Sequence, residues 1–161
     1  MKAPLHWQDS TWHRILPIVL IFWLSASLVL DFLVMPVLYL SGMMAESHFV
    51  LAGQALFGAF NRMELLLGAI VCVSFWIKQQ TPELERESMF RNLPIAVMLL
   101  GITVLYTYIV TPAMSGMGFM EESTGIVPAE MTMMHGLYWV LESVKLFGLS
   151  LLFSRDFRLF R

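Results

Sequence analysis

The chain has 161 residues, 58% hydrophobic and only 14% charged, and its mean hydropathy is +0.71. So few charges cannot cover a soluble domain of this size, and a formal net charge of −2 leaves no sustained basic face for nucleic acid. One cysteine, Cys72, excludes an intramolecular disulfide and a cysteine metal cluster within one chain; in its apolar run it reads as a small buried hydrophobe.

Residues 1–14 form a polar lead whose Trp7 and Trp12 suit the headgroup belt of a membrane. The apolar run behind them outlasts the core of a signal peptide, and no small-residue cleavage pattern comes before a clear mature domain, so it is expected to stay as a first membrane span over 15–40. Asp31 and Pro36 interrupt it. After a turn at 41–48, a second span is predicted over 49–77. Its glycines and alanines permit close helix approach, and Asn61, Arg62, Met63 and Glu64 stand near its middle.

A charged connector over 78–91 leads to a third span over 92–112, opened by Pro94 and carrying Tyr106, Thr107, Tyr108 and Thr111 as its polar groups. A glycine-containing connector over 113–128 precedes a fourth span over 129–153, which holds His135, Glu142 and Lys145. The expected fold is all-α, one four-helix transmembrane bundle. All lysines and arginines except Arg62 and Lys145 fall in the amino-terminal lead, the 78–91 connector or the carboxyl tail. By the positive-inside rule both termini are expected on the cytoplasmic or equivalent side, in a bacterial inner membrane or its counterpart.

Depth decides which intramembrane groups can meet. Glu64 and Glu142 lie roughly 20 Å from the outer ends of their spans, with Arg62 and Lys145 near the same level and Asp31 and His135 shallower. Glu142 and Lys145 share a helix face, with His135 two turns outward on it. Charges at this depth should turn inward and pair. Arg62 with Glu142 and Glu64 with Lys145 is a self-consistent arrangement, and Asp31 near His135 forms an upper layer. This polar seam of Asp31, Asn61, Arg62, Glu64, His135, Glu142 and Lys145 reads either as a device that fixes helix register or as a polar path.

Methionines gather at the outer ends of the spans: Met43, Met44, Met114, Met117, Met120, Met131, Met133 and Met134. Thioethers are soft ligands for Cu(I), so Met117, Met120, Met131 and Met134 with His48 and His135 form a candidate metal set, while methionine is equally an ordinary gap filler. There is no phosphate loop, dinucleotide fingerprint or CxxCH haem motif, and the sequence names no cofactor.

The stretches "WLSASLVLDFLVMPVLYLSGMM", "AGQALFGAFNRMELLLGAIV", "YIVTPAM" and "MHGLYWVLESVKLFGLSLLF" resemble the four-helix membrane family that includes eukaryotic transmembrane protein 205. Pro36 and Pro112 match its prolines at the outer ends of the first and third spans, and His135–Gly136 matches its His-Gly in the last. The family usually has asparagine where this chain has Glu142, so no role is carried over there. The resemblance implies a small four-span protein without established chemistry. The leading expectation is a non-enzymatic subunit or assembly partner, working in the bilayer as a homo-oligomer or with other membrane proteins. The alternative is a small transporter or metal-handling protein that uses the seam.

Overall fold

The computed structural model describes residues 6–43, 46, 48–78, 86–126 and 128–158, with side chains from residue 15 onward except those of 78, 86–91 and 158. Met44, the side chains of Trp7 and Trp12 and, apart from Arg155, the basic side chains behind the topology argument lie outside that set. The described chain is all-α. It comprises α1 (His6–Val29), α2 (Met35–Leu40), α3 (Phe49–Lys78), α4 (Arg86–Leu105), α5 (Thr111–Thr124) and α6 (Ala129–Arg158).

Two of the breaks between helices are π-helical turns, Leu30–Val34 between α1 and α2 and Tyr106–Val110 between α4 and α5, so each pair forms one continuous rod. Proline explains both. Pro36 and Pro112 stand at the second position of the following helix. Each lacks an N–H, and its ring crowds the carbonyl four residues back. Widening the turn by one residue lets other amides reach back instead: the Met35 N–H bonds the Leu30 carbonyl and the Thr111 N–H bonds the Tyr106 carbonyl. The expected end of the third span at residue 112 is therefore corrected. Helix continues to Thr124, where Gly125, at φ 69°, donates its N–H to the Glu121 carbonyl and ends it.

Four helical stretches are long and apolar enough to cross a membrane: Ile15–Leu40, Phe49–Ile77, Asn92–Thr124 and Ala129–Phe157. At 26 to 33 residues each exceeds the roughly 20 that a bilayer core requires, which leaves room for tilt. They pack in a ring, α1 against α3 and α6, and α4 against α3 and α6. The two halves follow one plan. Each has a rod containing a π turn before a proline, then a long helix in which Gly58 precedes Glu64 by the same spacing as Gly136 precedes Glu142.

Leu16, Leu20 and Trp23 of α1, Leu67, Val71 and Phe75 of α3, Ala96 and Leu99 of α4, and Leu149 and Leu152 of α6 form the main core. A smaller cluster, Ile102, Tyr106 and Val110, packs with Met114, Tyr138 and Leu141 toward the other end. Between the two clusters lies a polar layer. Lipid tails are as apolar as leucine, so close packing must hold such helices together. Gly68 shows how tight it is: a Cβ there would lie 3.1 Å from Leu100 Cδ1 and 3.2 Å from Trp23 Cη2, whereas one at Gly53 would meet nothing within 4 Å. Gly68→Val is expected to destabilise the bundle by about 1–3 kcal/mol through overpacking, and Gly53→Val to leave it nearly unchanged. Thermal unfolding of both variants in mild detergent checks the contrast; equal melting temperatures would show that the α1–α3–α4 contact is loose.

Candidate functional site

The polar layer is built around Lys145. Its Nζ lies 2.5 Å from Glu64 Oε1 and 2.8 Å from Glu142 Oε2, and all three side chains are 0–1% exposed. α6 presents Glu142 and Lys145 on one face because they are three apart, and α3 brings Glu64 from the opposite side. Glu64 Oε1 also accepts hydrogen bonds from Trp23 Nε1 at 2.9 Å and Ser27 Oγ at 3.1 Å, both on α1. One carboxylate oxygen thus gathers donors from two other helices. The aromatic rings of Tyr106 and Phe60 flank the ammonium at 5.3 and 5.8 Å, a cation–π setting that supplements the ion pairs.

Asp31, on the first π turn, extends the layer. It is 2% exposed, its Oδ1 accepts a 2.6 Å hydrogen bond from Tyr138 Oη, and its carboxyl group adjoins that of Glu142. Tyr106, which opens the second π turn, donates to the Tyr138 carbonyl at 3.1 Å, with ring centroids 5.2 Å apart. Asn61 Nδ2 donates to Thr111 Oγ1 at 2.8 Å and closes α3 onto α5. Several acceptors are left over: Asp31 Oδ2, Glu64 Oε2 and both Glu142 oxygens are buried without a hydrogen bond, the Lys145–Glu142 contact being an ion pair off the hydrogen-bond direction.

Five of the seven expected seam residues, Asp31, Asn61, Glu64, Glu142 and Lys145, are brought together and buried. The pairing of Glu64 with Lys145 forms; that of Arg62 with Glu142 does not. Arg62 is exposed and makes no ion pair among the described residues. The reason is local: Arg62 and Glu64 are two apart on α3, so they point to nearly opposite faces and one seam cannot take both. Lys145 takes both glutamates instead. The pairing of Asp31 with His135 is also corrected. His135 is exposed, with its Nδ1 2.9 Å from the Met131 carbonyl, and Tyr138 takes its place beside Asp31. Seven residues fall about 20° short of two full turns, and the inward stripe of α6 runs outward through Tyr138, Met134 and Met131, so His135 lies beside it.

Of the candidate metal set, Met117, Met131 and Met134 are half-buried, and Met120, His48 and His135 are exposed. Among the described residues no three His, Cys, Asp or Glu side chains converge as metal ligands. Sequence reasoning missed Trp23, Ser27 and Tyr138. A signal was present: Ser27 and Asp31 are four apart with Trp23 one turn before, and Tyr138 is four before Glu142, so each group forms one stripe.

Compared with family models, curated proteins and solved structures, the chain has no match. Its helices carry the classification by themselves. It is a multi-pass integral membrane protein. Everything finer rests on the polar layer and on the outward face of α3.

Lys145→Met leaves two buried carboxylates without their shared cation and is expected to cost about 3–5 kcal/mol, seen as loss of folded, monodisperse protein after extraction. Recovery of the wild-type yield in this variant would show that the ion triad is dispensable. Tyr138→Phe removes the donor to Asp31 and is expected to lower stability by about 1–3 kcal/mol, while His135→Ala should change it by less than about 0.5 kcal/mol. Unfolding of the two variants in the same detergent discriminates; the reverse order would restore the histidine to the seam.

Proposed function

We propose that this chain is a non-enzymatic subunit of a membrane complex, docked on a partner through the outward face of α3. The carrying observation is Arg62. It lies about 20 Å from either end of the Phe49–Ile77 span, on an exposed stripe made otherwise of Ala55, Ala59, Leu66, Ala69 and Val73. A guanidinium at mid-depth costs roughly 2.5–3.5 kcal/mol on insertion scales and far more in simulations of isolated helices. It is too deep to extend to either interface. A partner that brings a carboxylate to it removes that cost, and the alanines beside it let a second helix come close.

A second copy of the chain in the same orientation is the weaker candidate. The acidic side chains described outside the seam are Glu46, Glu121, Glu122, Glu130 and Asp156, all toward the ends of helices, and none lies at the depth of Arg62. The partner we favour is a transmembrane helix of another protein with an Asp or Glu near its middle. The closed contacts of Lys145 with Glu64 and Glu142 support the same reading, because they act as internal ties. Membership of the family that includes transmembrane protein 205 belongs to this proposal, on the strength of Pro36, Pro112 and His135–Gly136.

Arg62→Leu is expected to abolish co-isolation of the partner from native membranes while folded protein accumulates normally, and Arg62→Lys to retain part of it. Native mass determination of the tagged chain reads both. An Arg62→Leu chain that keeps the wild-type assembly mass and companions would refute the docking role, and a wild-type assembly made only of this chain would replace the foreign partner with a homo-oligomer.

A further inference from the structure

The polar layer contains three buried carboxyl groups, Asp31, Glu64 and Glu142, and one ammonium, Lys145. Glu64 is provided for: its Oε1 receives Lys145, Trp23 and Ser27. The other two carboxyl groups are neighbours in the layer and interact. Asp31 adjoins Glu142, and Asp31 Oδ2 and both Glu142 oxygens accept no hydrogen bond, although the residues are only 2% and 1% exposed. An ionised carboxylate is acceptor-only, so two of them in contact repel and neither can satisfy the other. Like charges this close in a medium of low dielectric do not both persist. A hydrogen placed between one oxygen of each converts the repulsion into an O–H···O⁻ bond, one of the stronger hydrogen bonds known in proteins.

We propose that Asp31 and Glu142 share one exchangeable proton and so form a proton-binding site inside the membrane. The proton adds to one carboxylate, whose O–H donates to the other, and the pair becomes a monoanion. Its surroundings suit that state. Tyr138 Oη donates to Asp31 Oδ1 at 2.6 Å, and Lys145 stands 2.8 Å from Glu142 Oε2. The other groups facing the pair are Glu64 from α3, already held by its own three donors, and Tyr106 from the π turn that follows α4, whose hydroxyl lies beside Glu142 but gives its hydrogen to the Tyr138 carbonyl at 3.1 Å. Asn61 is turned to Thr111, and Arg62 points outward. A metal ion fits less well, because the three carboxyl groups do not converge on one point. The site is independent of the docking face of α3. An intramembrane carboxyl pair that takes up and releases a proton is the elementary part of a proton-linked transporter or sensor.

Infrared spectra of the full-length protein in lipid vesicles at neutral pH test this directly. The carbonyl stretch of a protonated carboxylic acid should be present, should move on exchange into D2O, and should be lost in Asp31→Asn and in Glu142→Gln. A neutral-pH spectrum without that band overturns the proposal, and so does a band that survives both substitutions. Should either variant fail to fold, wild-type protein with carboxyl-13C aspartate or carboxyl-13C glutamate decides. A shared proton makes the band respond to both labels, and a response to glutamate alone overturns the sharing. A lost band with an intact partner complex would leave the docking role of Arg62 standing, so the two proposals fail separately.

Discussion

The Lys145 ammonium between Glu64 and Glu142 is the contact on which the arrangement of this bundle depends. In lipid the hydrophobic effect does not draw helices together, and an apolar face gains little by turning from a neighbour's leucines to an acyl chain. A carboxylate or ammonium at mid-depth has no such freedom and must find its counterpart. Glu64 therefore fixes α3 against α1 through Trp23 and Ser27 and against α6 through Lys145. The leucine-rich core below it then packs at a register already decided by charge. A buried ion pair is weak evidence for net stability, but it penalises every misaligned packing in which a charge is left alone.

The two π turns serve the same layer. One carries Asp31 and the other opens with Tyr106, and both exist because a proline follows. A regular α-helix would rotate the residues beyond the turn by a different amount, so the prolines help to set which side chains face the seam. Helix breakers are tolerated at this depth because the freed backbone groups are taken up locally.

Much of the architecture was legible in the sequence. Apolar length located all four spans, since nothing soluble needs such runs. Depth along each span put Glu64, Glu142 and Lys145 at one level. What composition and depth could not supply was azimuth. Arg62 and Glu64 share a level but not a face, and Asp31 reaches Tyr138 rather than His135 because a π turn and the drift of α6 change which residues look inward. Pro112 was readable as a helix stop because proline usually is one. Only a widened turn lets the rod run on to Thr124. The positive-inside argument concerns residues whose side chains, Arg155 aside, lie outside those described.

The likeness of the two halves explains why the seam is unevenly satisfied. Glu64 and Glu142 occupy matching places in α3 and α6, each following its glycine. Their surroundings do not match. At the places in α4 that correspond to Trp23 and Ser27 of α1, counted from the prolines, stand Leu99 and Thr103, and the Thr103 hydroxyl is committed to the Leu100 carbonyl. The place in α3 that corresponds to Lys145 holds Leu67. Glu64 thus has two donors from its own half and the lysine from the other. Glu142 has a share of that lysine, the Tyr106 hydroxyl beside it gives its hydrogen to the Tyr138 carbonyl, and its neighbour Asp31 is another acid. The halves repeat Glu64 as Glu142 but not the donors around it, and Asp31, whose place in the second half holds Thr107, adds a further acid beside Glu142. One acid is left short of partners, and it is there that the proposed proton has a place to bind.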